Sequence, residues 1–306
     1  MVYSAHSGFT VPLDTAKVTS AQGKGLVATL MIDSSQQAPQ IEVAAKAGAC
    51  YGVQRALDLT DQALAEADGS KVYSLGPLIH NPQVIAELET RGVKVIDRLD
   101  AAGPGRLIVR THGVPPDLAL PPHTIDATCP YVKIAQRKTA ELAASCDQVV
   151  IVGDDGHPEV EGLKGYAGDK GVVAADTKAA RQIKQTGSVG IVVQTTQSQA
   201  ALNEVAACFE APRIANTICR ATAERQQAAV ELAQRADSML VVGGRNSGNT
   251  KRLADLCAAV CPNTHLIEGA SEIDPSWLVG SQLVGISAGA STPLAQIEEV
   301  RHALTD

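Results

Sequence analysis

The sequence predicts an α/β protein of three similar lobes, each with a parallel sheet, arranged pseudo-threefold around a central cluster site. Three observations predict it. Short Val/Ile runs recur along the chain and mostly alternate with amphipathic helical segments, the pattern of parallel sheets covered on both faces. Cys50, Cys129 and Cys219 each follow a short apolar stretch (41–45, 123–127 and 213–217) and each opens a helical segment. Two further strand-to-polar-loop junctions then follow each cysteine at similar spacing. The first set is His80, His157 and Ser247 at +30, +28 and +28; the second is His112, Thr195 and Ser291 at +62, +66 and +72.

Twelve strands are expected, four to a lobe, at 41–45, 72–75, 93–96, 107–110, 124–127, 149–152, 172–175, 190–193, 214–217, 240–242, 264–267 and 283–286. Helices are expected at 51–67, 82–91, 131–144, 221–235, 249–260 and 294–304. Pro130, directly after Cys129, suits the first turn of a helix. The lobes divide as 52–129, 130–216 and 217–306, the last completed by the strand segment 40–51. Residues 1–39 are rich in Ser, Thr, Ala and Gln with weak periodicity, and read as a weakly ordered extension.

The 306 residues leave room for two or three domains of about 100 residues each. Aromatic content is only 3%, so the cores must be packed with Ala, Val, Leu and Ile. A net charge of −7 argues against nucleic acid, which needs a basic face. No apolar run approaches the roughly 18 residues of a membrane span, and the first residues do not read as a secretory signal. Seven scattered cysteines do not suggest a disulfide scaffold. The expectation is a cytoplasmic chain with reduced thiols.

In parallel α/β units, ligands gather at the carboxyl ends of the strands, beside helix N-termini that favour anions. All nine repeated positions fall at such places. Three thiolates meeting there, with no fourth in step, would hold an iron–sulfur cluster with one iron open for chemistry. The competing reading makes the three cysteines small buried hydrophobes. Cys146 lacks the repeated setting, Cys208 precedes Phe209 and packs, and Cys257 and Cys261 read as core residues of a helix.

These segments together resemble the 4-hydroxy-3-methylbut-2-enyl diphosphate reductase family. The matching stretches are Ala47-Gly-Ala-Cys-Tyr-Gly-Val53, Leu78-Ile-His-Asn-Pro82, Arg110-Thr-His-Gly-Val114, Asp126-Ala-Thr-Cys-Pro130 and Gly156-His-Pro-Glu-Val-Glu-Gly162. Gln194-Thr-Thr-Gln-Ser198, Thr217-Ile-Cys-Arg-Ala-Thr222, Arg245-Asn-Ser-Gly-Asn-Thr250 and Ser287-Ala-Gly-Ala-Ser291 continue the series in order. Any one piece is weak; nine in order are specific. Two departures stand out: Ala49 where the family usually has Phe, and Gly248 where many members have Ser.

The resemblance implies one [4Fe–4S] cluster held by Cys50, Cys129 and Cys219. It implies reductive removal of an allylic hydroxyl, with two electrons and two protons, to give isopentenyl and dimethylallyl diphosphates and water. It places His80, His112 and His157 in the substrate pocket, where imidazoles donate to phosphate oxygens. Ser247, Gly248, Asn249 and Ser291 would wrap the diphosphate, although such residues also serve as ordinary helix caps. Glu159 would be the proton donor, and Thr195 would orient the substrate hydroxyl, with Thr196 as its rival. Some closure of the lobes on binding is expected, to exclude water. No flavin or nicotinamide fingerprint is present, so electrons would come from a ferredoxin or flavodoxin. Two other readings remain open: an iron–sulfur dehydratase of the quinolinate-synthase type, which needs a pocket of Arg and Lys, and a non-catalytic redox sensor, which needs neither Glu159 nor Thr195.

Overall fold

The structure, a computed structural model, describes residues 38–305. The extension expected at 1–39 falls outside the described residues, apart from 38 and 39. β1 (Gln40–Val43) leads into α1 (Tyr51–Ala65). β2 (Lys71–Leu75), α2 (Pro82–Thr90), β3 (Val93–Ile96), β4 (Gly105–Val109) and β5 (Ile125–Asp126) follow. After α3 (Pro130–Ser145) come β6 (Gln148–Val152), α4 (Pro158–Ala167), β7 (Gly171–Ala174), α5 (Thr177–Ala180), β8 (Val189–Val193), α6 (Gln199–Ala206) and β9 (Arg213–Ala215). The last stretch holds α7 (Arg220–Ala233), β10 (Ser238–Val242), α8 (Gly248–Ala258), β11 (Thr264–Ile267), β12 (Leu283–Ala288) and α9 (Leu294–Ala303).

The strands form three four-stranded parallel sheets, ordered β3-β2-β4-β5, β7-β6-β8-β9 and β11-β10-β12-β1. Every paired strand runs parallel to its neighbour. The order is the same in each lobe: the first strand lies between the second and the third, and a fourth closes the edge beside the third. In the last lobe that edge comes from the start of the chain, where Ile41 pairs with Val284 and Val43 with Ile286. In such a sheet the switch point lies between the first and third strands, and ligands bind beyond their carboxyl ends. All five residues of β6, β8 and β10 are buried, as expected for strands covered on both faces.

The helices that follow the three cysteines hand the chain from one sheet to the next. Val53, Ala56 and Ala63 of α1 pack with Val72, Leu88 and Ile108 of the β2–β5 lobe. Ala135 and Leu142 of α3 pack with Val149, Ile151 and Val192. Ala229, Leu232 and Ala233 of α7 pack with Met239 and Val241. The six expected helices all form, within two residues of their expected ends. α4, α5 and α6 were not among them. α4 carries Gly162 and Gly165, which lower helix propensity. Gly165 lets the helix lie against the neighbouring lobe, since a Cβ there would sit 2.8 Å from Pro115 Cβ.

Side chains tie the lobes together close to the strand ends. Asn81 accepts from the backbone N–H groups of Gln83 and Val84 and so caps α2. Its amide also donates to the Ser291 carbonyl at 3.0 Å and to Gln296 Oε1 at 3.1 Å in another lobe. Arg252 of α8 reaches Asp154 at 2.6 Å and Gln197 Oε1 at 2.7 Å. No described helix is long and apolar enough to cross a membrane.

Asn81 is almost fully buried, so losing it removes both a cap and a buried tie. Asn81→Ala is expected to cost about 2 kcal/mol, about 1 for the cap and about 1 for the tie. Thermal unfolding should show this as a fall of several degrees in Tm. Asn81→Asp keeps the capping oxygen and should lose only part of it.

Candidate active site

Each of the three cysteines is the N-cap of its helix: Cys50 of α1, Cys129 of α3 and Cys219 of α7. All three line one pocket at the strand ends. A Cβ placed on Gly52 would lie 2.5 Å from Cys129 Sγ and 3.9 Å from Cys50 Sγ; only glycine leaves that space to the sulfurs. Cys219 Sγ accepts from the Thr222 N–H at 3.3 Å and lies 3.1 Å from Thr222 Oγ1. Burial pushes the Cys129 and Cys219 thiols up, and negative charge on the neighbouring thiols pushes further in the same direction. The other four cysteines lie elsewhere. Cys146, Cys257 and Cys261 are buried in apolar clusters, and Cys208 packs at the edge of another.

Three imidazoles form a triangle on the same pocket. The His80 and His112 ring centroids are 4.4 Å apart, and each lies 5.2 Å from His157. They stem from the loops after β2, β4 and β6. Burial holds all three below the usual histidine range, His157 at about 4 and His112 well below its normal value. The positive Arg110 adds to the effect at each. His157 Nδ1 accepts from the Glu159 N–H at 3.1 Å, so the neutral ring carries its proton on Nε2. His80 Nε2 and His112 Nδ1 are buried without a partner. The nearest ligand atoms of the three rings lie within 4.8 Å of one another. That spacing would also suit a cation, but the adjacent Arg110 favours an anion.

Glu159, in the first turn of α4, is 2% exposed. One oxygen accepts from the Thr195 N–H at 2.7 Å and the other from Thr195 Oγ1 at 2.8 Å. These bonds and Arg252 favour the carboxylate, yet burial outweighs them and pushes the carboxyl up to about 7. Glu161, one turn-step away, pairs with Lys164 on the solvent side. Thr196 also lines the pocket, and its hydroxyl is buried without a partner.

The third lobe supplies a polar loop. Ser247 caps α8, accepting from the Thr250 N–H at 3.3 Å. Asn249 is buried with neither end of its amide bonded. Ser291 donates to the His80 carbonyl at 3.0 Å. A Cβ on Gly248 would meet Arg252 and Asp154 at 2.9 Å, so the ion pair occupies the space a serine would take. Ala49 is exposed, and its departure from the expected Phe removes nothing from the core. All twelve residues singled out in the sequence line the one pocket.

Over residues 41–305 the chain matches the family described as LytB protein. This chain belongs to the LytB family. LytB relatives named 4-hydroxy-3-methylbut-2-enyl diphosphate reductase occur in Pelobacter propionicus, at 46% identity over 270 residues, and in Geobacter metallireducens, at 47% over 270 residues. Each match covers 85% of this chain, and 96% and 95% of the relative. A solved structure of (E)-4-hydroxy-3-methyl-but-2-enyl diphosphate reductase, described as the terminal enzyme of the non-mevalonate pathway, is 41% identical. Its TM-score is 0.61, and the match covers 87% of this chain and 98% of that one. A reductase structure from Plasmodium falciparum, 23% identical, shares the LytB fold at a TM-score of 0.81, over 88% of this chain and 89% of that one.

The sequence assigns no role to three residues that line the LytB-family pocket, Gly52, Thr222 and Arg225, or to Asn81, which ties two lobes beside it. Gly52, Thr222 and Arg225 lie within six residues C-terminal of a pocket cysteine. One helical turn beyond each cysteine holds Gly52 and Thr222; Asn81 and Arg225 act across lobes and leave no local signal.

A carboxyl raised from 4.5 to about 7 binds its proton more tightly in the folded chain. Stability is therefore complete below about pH 4.5 and is lost as pH rises through about 7. For this group the loss is about 3 kcal/mol. In the cluster-free protein, the pH 5 to pH 8 fall in stability should be smaller by most of that amount in Glu159→Gln than in wild type. An identical fall in both would show that Glu159 is not held protonated.

Proposed function

We propose that this chain is a 4-hydroxy-3-methylbut-2-enyl diphosphate reductase. It removes the allylic hydroxyl of its substrate as water and releases isopentenyl and dimethylallyl diphosphates. Two electrons and two protons balance the step. The observation that carries the reading is the convergence of three thiols, three neutral imidazoles and one raised carboxyl on a single pocket.

Cys50, Cys129 and Cys219 would hold a [4Fe–4S] cluster. The donor set fits: three free thiols sit at helix N-termini, which favour their anionic form. Negative charge at Cys50 adds to the burial that raises the Cys129 and Cys219 thiols, and a metal centre relieves that repulsion. Gly52 keeps the space beside two of them clear. When bound, such a centre supplies electrons and a Lewis acid at an open iron.

The rest of the work falls to the chain. His80, His112 and His157 donate N–H groups to the diphosphate, and Arg110 behind them supplies fixed positive charge. The unpartnered nitrogens of His80 and His112 and the free amide of Asn249 are the groups a bound anion would satisfy. Ser247 accepts at its cap and keeps its O–H to donate, Ser291 rotates off the His80 carbonyl to donate, and the Gly248 N–H joins them. Anchoring the diphosphate holds the allylic carbon near the thiols. Thr195 orients the substrate hydroxyl, and its contact with Glu159 favours it over Thr196. A protonated Glu159 donates to Thr195 Oγ1, freeing that hydroxyl to pass a proton onward to the leaving oxygen.

The pocket has no flavin or nicotinamide fingerprint, and a ferredoxin or flavodoxin is the proposed electron donor. Seven free thiols suit the reducing cytoplasm. Histidine, serine and asparagine at the anchoring positions favour a diphosphate over the polycarboxylate of a quinolinate-synthase-like dehydratase. The buried Glu159–Thr195 pair is more than a redox sensor needs.

Anaerobic purification with iron and sulfide quantification, followed by turnover of the allylic diphosphate with a chemical reductant, tests the reading. Cys50→Ser, Cys129→Ser and Cys219→Ser should lose iron and sulfide; Cys257→Ala should keep both. Glu159→Gln should keep the metal and lose turnover by about 10²- to 10⁴-fold. A wild-type protein that binds iron and sulfide but leaves the diphosphate intact would sink the assignment.

A further inference from the structure

Arg225 lies on α7, six residues beyond Cys219, and is 4% exposed. One guanidinium nitrogen donates to the Gly48 carbonyl at 2.7 Å, another to the Ala221 carbonyl at 3.2 Å. Its Nε is buried without a partner. Among the described residues no carboxylate pairs with it, whereas Arg252 of α8, outside the pocket lining, has Asp154 at 2.6 Å. A guanidinium does not shed its proton in a protein, so burial leaves a cation without a counter-charge, which is costly. Among the described residues, the groups that favour its charge are Cys50 and Cys219, and both line the pocket with it. Gly48 lies two residues before Cys50. Arg225 thus reaches from the helix that Cys219 caps to the segment that carries Cys50.

We infer that Arg225 is the fixed counter-charge of the centre held by Cys50, Cys129 and Cys219, and that it raises the reduction potential of that centre. This rests on the reading that the three thiols hold an iron–sulfur cluster. A cubane bound by three thiolates is anionic, and each electron added makes it more so. Net charge and hydrogen bonds around such a cluster set its potential. A buried cation beside two of the ligands favours the reduced state. The planar fork holds two carbonyls at once, which an ammonium cannot reproduce. Acting through the charge of the centre rather than on the substrate, Arg225 is a positioning residue, and its effect is read in the potential.

The test uses the anaerobically loaded full chain as wild type, Arg225→Met and Arg225→Lys. Iron and sulfide content, the midpoint potential from a titration followed by electron paramagnetic resonance, and Tm with and without the cluster are measured. Arg225→Met should shift the reduction equilibrium at least tenfold toward the oxidised state, about 59 mV for a one-electron couple. Arg225→Lys should recover part of that shift. Without the cluster, Arg225→Met should melt no lower than wild type, because an unpaired buried cation has gone. Its gain in Tm on loading should be smaller than the wild-type gain.

A loaded Arg225→Met with the wild-type potential overturns the inference. So does a variant that melts lower without the cluster and takes up no metal, since Arg225 would then be a structural clasp on Gly48. A wild-type chain that takes up no iron or sulfide removes the cluster reading, and this inference with it.

Discussion

The handover of the chain between sheets governs the molecule. At each of three places the backbone leaves the edge strand of one lobe, passes a cysteine, and starts the helix that packs on the next lobe. Three helix N-termini therefore meet where the lobes meet. α4 and α8 add two more, capped by His157 and Ser247. Each N-terminus carries partial positive charge and unsatisfied N–H groups. Against five of them the pocket lining offers one carboxyl, Glu159. A space so lined favours anionic contents, and both proposed contents, a thiolate-bound cluster and a diphosphate, are anionic.

Glu159 shows how burial decides between competing influences. Two hydrogen bonds from Thr195 and the positive Arg252 pull its carboxyl toward ionisation. A surface carboxylate with such partners would sit well below the usual range. Full burial reverses the sign and leaves the group near neutrality, where a general acid is most useful. The same Thr195 atoms then serve two states. The N–H holds one oxygen whatever the protonation, while the hydroxyl accepts from the acid or donates to the carboxylate.

Much of this was legible because parallel sheets write themselves plainly. Fully buried strands need continuous Val and Ile, so β6, β8 and β10 stand out, and the repeated cysteine spacing follows from repeated lobes. Helices α4 and α6 were harder. In α4, Gly162 and Gly165 serve contact with a neighbouring lobe at the expense of local propensity. In α6, the Ser198 cap and the buried Leu202, Val205 and Ala206 form an amphipathic pattern only eight residues long, which is short for a helix signal. Asn81 and Arg225 could not be read at all. Their partners, Ser291 and Gly48, lie 210 and 177 residues away, and no local pattern records such a distance.

Two guanidinium groups, one half-buried and one buried, complete the electrostatics of the pocket. Arg110 stands behind the imidazoles and lowers all three; Arg225 stands beside the thiols. Each leaves its Nε without a partner. Arg110 is partly balanced by Asp97, while Arg225 has no such relief. Neutral histidines beside a fixed cation make a receptor that needs no proton before it binds, yet can take one when a dianion arrives. Lysines on the pocket surface would supply charge more directly, but they are flexible and strongly hydrated, and would bring water to a site that must exclude it. Placing Arg110 one layer back leaves the imidazole face to short donors of fixed direction. The potential felt by an anion is then set by the fold itself rather than by mobile side chains.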